Sequence, residues 1–258
     1  MKIGLTKGDS PLVLAQPHGG ILIPGDILSR LNATGQAMAD TDWHITRLYE
    51  GLIEQVTVIS TPIHRYVIDA NRDPSGQSLY PGQYTTGLCP TTTFDDLPLY
   101  VEGQAPSLDE IAERQKQYHQ PYHDAIRDQL ERVHQRHGYA ILFDCHSIRS
   151  VVPCLFDGKL HDFNIGTNDG TSCSQKITLG VETVCASAQQ YNHVSNGRFK
   201  GGWTTRHYGN PAAGYHAIQM ELSQCNYMQE KPPWDYDSTK AQNLRVVLKT
   251  ILKNCLLT

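Results

Sequence analysis

The chain has 258 residues, 39% of them hydrophobic and 19% charged, with a formal net charge of −4. That composition suits an ordinary globular protein able to bury a core without staples, and it offers no basic footprint for nucleic acid. No apolar run approaches the roughly 18 residues of a membrane helix, and the start, Met1 to Ser10, lacks the apolar stretch of a signal peptide, so a cytoplasmic location is expected.

Leu12 to Ala15 reads as a first buried strand, followed by Pro17-His18-Gly19-Gly20. Asp42 to Glu54 has apolar residues at Ile45, Leu48, Tyr49, Leu52 and Ile53, which is helical spacing, with Thr41 as N-cap. Val56 to Ser60 and Arg65 to Ala70 are expected strands, the second ending at Asn71-Arg72-Asp73-Pro74. Residues 73–103 are rich in proline, glycine and threonine, and so long a loop is expected to form a wall or lid over a site. Ser107 and Glu110 have the spacing of a capping box and open a helix running to His137, with Gly138 as its stop and a kink at Pro121.

Tyr139 to Phe143 is the next strand, and Val151 to Phe156 and Asp162 to Ile165 are shorter ones. Ser174 to Gln190 reads as a helix, His216 to Leu222 as a strand and Thr239 to Leu256 as a closing helix. Strands alternating with helices predict one α/β domain over residues 1–258, a three-layer sandwich with a mixed, mostly parallel central sheet.

The chemistry-bearing residues fall where strands are expected to end. His18 follows the first strand, His146 lies in Asp144-Cys145-His146-Ser147 after the Tyr139–Phe143 strand, and Glu221 closes the His216 strand. In open α/β sheets ligands collect at the carboxyl ends of strands. A catalytic zinc takes three protein ligands and leaves one position for water. Asp40-Thr41-Asp42-Trp43-His44 supplies the third ligand, with Asp42 favoured and Asp40 and His44 as competing choices. The glycines after His18 are expected to leave room for a metal or ligand to approach. Glu221 is the expected general base. Asn71 and Arg72, with Arg206 and His207, are candidates for holding a small anionic substrate, since arginine pairs bidentately with carboxylates.

Other constellations are set aside. His119 and His123 are spaced as in H-E-x-x-H, but Gln120 replaces the glutamate and Pro121 interrupts the helix, so the pair is read as a solvated face. Cys145 and His146 are neighbours on a strand and point to opposite faces, which rules out a nucleophile–base pair. The seven cysteines include no C-x-x-C and read as small buried hydrophobes. Neither a G-x-S-x-G elbow nor a phosphate-binding glycine loop is present.

Taken together in order, Pro17-His18-Gly19-Gly20, Asp40-Thr41-Asp42-Trp43-His44, Asn71-Arg72-Asp73-Pro74, Asp144-Cys145-His146-Ser147, Gly201 to Gly209 and Gln219-Met220-Glu221-Leu222 make the chain resemble the N-formylglutamate amidohydrolase family of histidine degradation. The resemblance implies a phosphorylase/hydrolase-like fold, distantly similar to zinc carboxypeptidases, and hydrolysis of N-formyl-L-glutamate to formate and L-glutamate with Zn2+ or another divalent metal. It implies His18 and His146 as the two histidine ligands, Glu221 as base, and Asn71-Arg72 as the pair that binds a substrate carboxylate. The chain departs from the carboxypeptidase H-x-x-E motif, because Ile21 stands where the glutamate would be, so the acidic ligand comes from farther along. The competing activities are a related zinc deacylase or carboxypeptidase acting on another N-acyl amino acid, and a non-catalytic anion-binding protein of the same fold.

Overall fold

A computed structural model describes residues 2–78, 82 and 84–256. Its seven strands are β1 (Gly4–Thr6), β2 (Leu12–Gln16), β3 (Thr57–Ser60), β4 (Ala140–Ile148), β5 (Phe163–Gly166), β6 (His193–Ser195) and β7 (Tyr215–Ser223). The helices are α1 (Gly25–Leu28), α2 (Ala33–Gln36), α3 (Ile45–Tyr49), α4 (Leu108–Arg114), α5 (Gln120–His137), α6 (Gln175–Ser187), α7 (Trp203–Tyr208) and α8 (Ser238–Leu256). The strands form one sheet in the order β1-β3-β2-β4-β7-β5-β6. The pairs β3–β2, β2–β4, β4–β7 and β5–β6 are parallel, and β1–β3 and β5–β7 are antiparallel. The expected mixed, mostly parallel sheet is what forms.

The layers follow from side-chain alternation along the central strands. Leu14, Phe143, Ile218 and Met220 face one side and pack with Ile45 and Leu48 of α3, Ile177 and Val181 of α6, and Leu244, Leu248 and Ile251 of α8. Val13, Ala15, Leu142 and Ala217 face the other and pack on Tyr122, Ile126, Leu130 and Val133 of α5. Both faces are covered, so β2 and β4 are buried along their whole length, as central parallel strands are. Burying a side chain such as Leu142 or Phe143 contributes about 1.5–3 kcal/mol each.

The chain leaves β2 towards β3 and later returns past it to β4, which pairs on the other side of β2. The gap between the carboxyl ends of β2 and β4 is therefore a switch point of the sheet, where open α/β folds bind ligands.

Several local expectations are corrected. The helix expected over Asp42 to Glu54 is confined to Ile45–Tyr49. His44 has φ +61°, a left-handed backbone that cannot continue a right-handed helix backwards, and Gly51 at φ +68° lies beyond its end. Thr41 is no N-cap; its hydroxyl donates to the Met38 carbonyl at 2.7 Å. Arg65 to Ala70 is not a strand: Val67 N–H bonds back to the His64 carbonyl, and Asp69 N–H goes to the Leu88 carbonyl. Val151 to Phe156 is a turn closed on the Val152 carbonyl.

The long helix is two helices. Ser107 caps α4 by accepting from Glu110 N–H at 3.3 Å, but the Glu110 carboxylate turns to Arg30 and Arg114 instead of closing the box. A five-residue π segment, Gln115–His119, joins α4 to α5, and Pro121 falls in the first turn of α5, where its missing N–H costs nothing. Gly138 ends α5 in the left-handed conformation, as expected. Residues 79–81 and 83 of the long loop lie outside the described residues. On either side of them the loop lines a cavity, so it does form a wall.

Candidate active site

The cavity of about 280 Å³ opens at the switch point and is lined by His18, His146 and Glu221 on the sheet side and by Arg72 and Thr86 on the loop side. That volume is near the lower end of the range for small-molecule sites, about 300–1,000 Å³.

Strand register delivers three of its groups. Asp144, His146, Gln219 and Glu221 share the alternation of Leu142 and Ala217, so they leave the sheet on the α5 side, while Cys145 packs into the opposite core. His146 and Glu221 are direct neighbours in the β4–β7 ladder. Both belong to their strands, which run farther than the sequence pattern indicates. His18 sits two residues beyond β2. Asp42 comes from the connection before α3 and is pinned at both ends: its N–H donates to the His18 carbonyl at 3.1 Å, and Oδ2 accepts from Ser147 N–H at 3.0 Å.

His18, Asp42 and His146 converge, and all are buried. His18 Nδ1 and His146 Nδ1 are 3.1 Å apart, and Asp42 Oδ2 is 3.4 Å from the second and 3.9 Å from the first. Tetrahedral ligands about 2.1 Å from a zinc ion stand about 3.4 Å from one another. The outer nitrogens face carboxylates: His18 Nε2 lies 2.7 Å from Asp69, and His146 Nε2 lies 3.0 Å from Asp144. The Arg65 guanidinium, which can only donate, stands against His18 Nδ1. His18 therefore carries its proton on Nε2 and turns a lone pair inwards, the tautomer that a carboxylate–histidine–metal chain needs.

The charge balance points the same way. Asp42, Asp69, Asp144 and Glu221 are all buried, and the guanidiniums among them are those of Arg65 and Arg72. Asp42, Asp69 and Asp144 each stand within 4 Å of one of the two imidazoles, a negative surround that suits a divalent cation. Burial and the Arg65 charge hold the His18 imidazole down at about 4, so it is neutral and can ligate. Burial also opposes charge on His146, but Asp144, Asp42 and Glu221 outweigh it and raise its pKa well above the usual range, so a cation bound there would displace the inward proton of His146. Asp42 Oδ1 is buried without a hydrogen-bond partner. The donor set thus fits a divalent metal held by His18, Asp42 and His146.

The competing third ligands are engaged elsewhere. Asp40 Oδ2 accepts from Tyr66 Oη at 2.8 Å and from Phe94 N–H at 2.9 Å. His44 Nε2 is 2.7 Å from the Trp234 carbonyl. The glycines after His18 do not leave space for a ligand. A Cβ on Gly20 would stand 2.4 Å from the Pro62 backbone, and one on Gly19 would stand 2.7 Å from the Ile45 side chain, so close packing explains both. Ile21, at the position of the carboxypeptidase glutamate, is exposed.

Asn71 and Arg72 reach the cavity. Asn71 Nδ2 is 3.1 Å from His146 Nε2, and its Oδ1 accepts from Thr204 N–H at 2.9 Å. Gly202 makes this possible, since a Cβ there would meet the Asn71 amide at 2.3 Å. Arg72 Nε donates to the Thr86 carbonyl at 2.9 Å, and its Nη1 is 3.6 Å from Asp69. Burial raises the Glu221 carboxyl above the usual carboxylate range, with Asp42 and Asp144 adding to it and His146 and Arg65 opposing.

Arg206 and His207 are not among the described residues lining the cavity. α7 turns Thr204 and Thr205 inwards, while Arg206 Nε donates to the Gly201 carbonyl at 2.9 Å and His207 stacks on Trp203. The arginines that do line it, besides Arg72, are Arg65 and Arg198. Arg65 sits in strand-like sequence that gives it no mark. Arg198 lies three residues before the recognisable Gly201–Gly209 stretch. His119 and His123 are buried, not solvated: their Nε2 atoms lie 3.1 Å from the Arg72 carbonyl and 2.7 Å from the Ala70 carbonyl.

The chain is similar to curated relatives named N-formylglutamate deformylase. One from Pseudomonas aeruginosa is 44% identical over 98% of this chain and 96% of its own length, and one from Pseudomonas putida is 45% identical over 96% and 92%. A crystal structure of N-formylglutamate amidohydrolase from Ralstonia eutropha JMP134 matches with a TM-score of 0.81 at 25% identity, covering 98% of this chain and 96% of that one. A gene product of Agrobacterium tumefaciens shares the fold, with a TM-score of 0.71 at 18% identity over 99% and 94%. The family model for N-formylglutamate amidohydrolase matches residues 10–228. With sheet, cavity and relatives in agreement over nearly the whole chain, this protein belongs to the N-formylglutamate amidohydrolase family.

Proposed function

We propose that this chain hydrolyses N-formyl-L-glutamate to formate and L-glutamate, as a metal-dependent amidohydrolase of histidine degradation, with His18, Asp42 and His146 holding zinc or another divalent ion. The observation that carries the metal is the triad itself: three buried ligand atoms all within 4.8 Å of one another, with Asp69 and Asp144 behind the imidazoles. The name shared by the Pseudomonas relatives carries the substrate.

When bound, such an ion polarises the formyl carbonyl and acidifies the attacking water. Glu221, beside His146 on the same face of the sheet, takes the proton from water and hands it to the departing amine nitrogen. Its raised pKa suits a group that must accept and release a proton near neutral pH. Arg65 faces the same centre and stabilises the negative charge that develops on the carbonyl oxygen. Arg72 takes a substrate carboxylate, and Asn71 keeps the substrate amide in line. The cysteines fit a cytoplasmic setting, since all seven are free thiols, Cys154 among them exposed.

The test is formate release from N-formyl-L-glutamate beside the N-acetyl and N-succinyl compounds, with and without a chelator. Formate release that a chelator stops and zinc restores is expected; full turnover by metal-free protein would refute the mechanism. Glu221→Gln should keep the ion and lower kcat by about 10²–10⁴-fold, and an unchanged kcat would reassign the base.

A further inference from the structure

We infer that Arg198 is the residue that reads the side-chain carboxylate of the substrate, and so makes the site specific for an N-formyl amino acid with an acidic side chain. The inference rests on the reaction proposed above, which gives the substrate two carboxylates. A carboxylate taken out of water needs a cationic or hydrogen-bonding partner for each oxygen pair.

Three arginines are among the described residues lining the cavity. Arg65 is committed to the ligand cluster, 3.9 Å from Asp42 and 3.8 Å from Asp69. Arg72 adjoins Asn71, which touches His146, so it serves the carboxylate next to the scissile amide. Arg198 stands over the Phe199 ring, 5.5 Å from its centroid, and its Nε donates to the Leu155 carbonyl at 2.6 Å.

Arg198 and Arg72 are fixed to one short piece of backbone. Arg198 Nη2 reaches the Tyr84 carbonyl at 3.5 Å, and Arg72 Nε reaches the Thr86 carbonyl at 2.9 Å. The loop wall from Tyr84 to Thr86 thus holds two guanidiniums at one cavity, one for each carboxylate of the substrate. Asp73, the acid on this wall, turns its Oδ1 to Ser75 N–H at 2.7 Å.

The experiment measures formate release by the full chain loaded with zinc, on N-formyl-L-glutamate and on N-formyl-L-glutamine, which differ only in the side-chain charge. The unaltered protein should favour the acid about 10- to 100-fold in kcat/KM, the value of one charged hydrogen-bonded contact. Arg198→Gln should erase that preference by raising KM for the acid, leaving the neutral substrate within about twofold, and Arg198→Lys should keep part of it. Arg72→Gln should weaken both substrates alike and preserve the preference. A preference intact in Arg198→Gln, or one abolished by Arg72→Gln instead, overturns the assignment. So does an equal loss on both substrates in Arg198→Gln and Arg198→Lys proteins of unchanged thermal melting. Absence of formate release from N-formyl-L-glutamate by the unaltered protein is a separate failure, that of the reaction itself.

Discussion

Two pairs of histidines are buried in this molecule, and their surroundings separate them. His18 and His146 are 128 residues apart, yet their Nδ1 atoms meet at 3.1 Å, and each ring is backed by a carboxylate. His119 and His123 are one helical turn apart, with ring centroids 4.3 Å from each other, but their outer nitrogens face backbone carbonyls and their neighbours are Trp203 and Tyr208. The second pair has the spacing of zinc ligands, but backbone carbonyls and not carboxylates accept from both rings. The first has no sequence spacing at all and has three acids, Asp42, Asp69 and Asp144, around it. What distinguishes the proposed metal site from a structural pair here is the carboxylate shell, which fixes the tautomer and supplies the negative charge, and not the interval between histidines.

That contrast can be broken most directly at the ligands. His18→Ala or His146→Ala should strip the divalent ion and lower kcat/KM by on the order of 10³-fold or more, whereas His119→Gln should retain a full complement of metal. Elemental analysis beside the formate assay reads both, and metal retained by His18→Ala protein would undo the distinction. A smaller effect is expected one layer out. Asp69→Asn or Asp144→Asn keeps the shape but removes the charge behind the imidazole, and metal affinity should fall about 10- to 100-fold in a competition titration against a chelator. Equal affinity would mean that the acids serve packing alone. The smallest effect belongs to the other pair. His123→Phe leaves the Ala70 carbonyl without its partner and should cost about 1–3 kcal/mol of stability in denaturant unfolding. Metal content should not change, and KM should rise modestly because the Ala70–Arg72 backbone is less firmly held.

The difference between the pairs also explains how far the sequence could be read. The uninterrupted apolar runs of β2 and β4 identify strands because both faces of a central parallel strand are buried. Ser107 marks the start of α4 and Gly138 the end of α5, since capping chemistry is local. Arg65 to Ala70 has strand composition but pairs with no strand among the described residues, and its backbone donors go to turns and loops. The Asp42 helix fails at His44, where a left-handed backbone turns the chain so that Asp42 can reach Ser147. His119 and His123 read as solvated because their face is buried by distant segments, the Ala70–Arg72 backbone and α7, which brings Trp203 and Tyr208 against them.

By itself the sequence determined the layered α/β architecture, the strand ends at which His18 and Glu221 would be delivered, and the order of motifs that marks the family. Those are consequences of alternation and local capping, which act over a few residues. Only the tertiary structure decided that Asp42 and not Asp40 or His44 joins the two imidazoles, and that Arg65 and Arg198 line the cavity. Each of those outcomes depends on the packing of segments distant in sequence, and a side chain's neighbours across such a distance are fixed by how the layers dock, which no local pattern encodes.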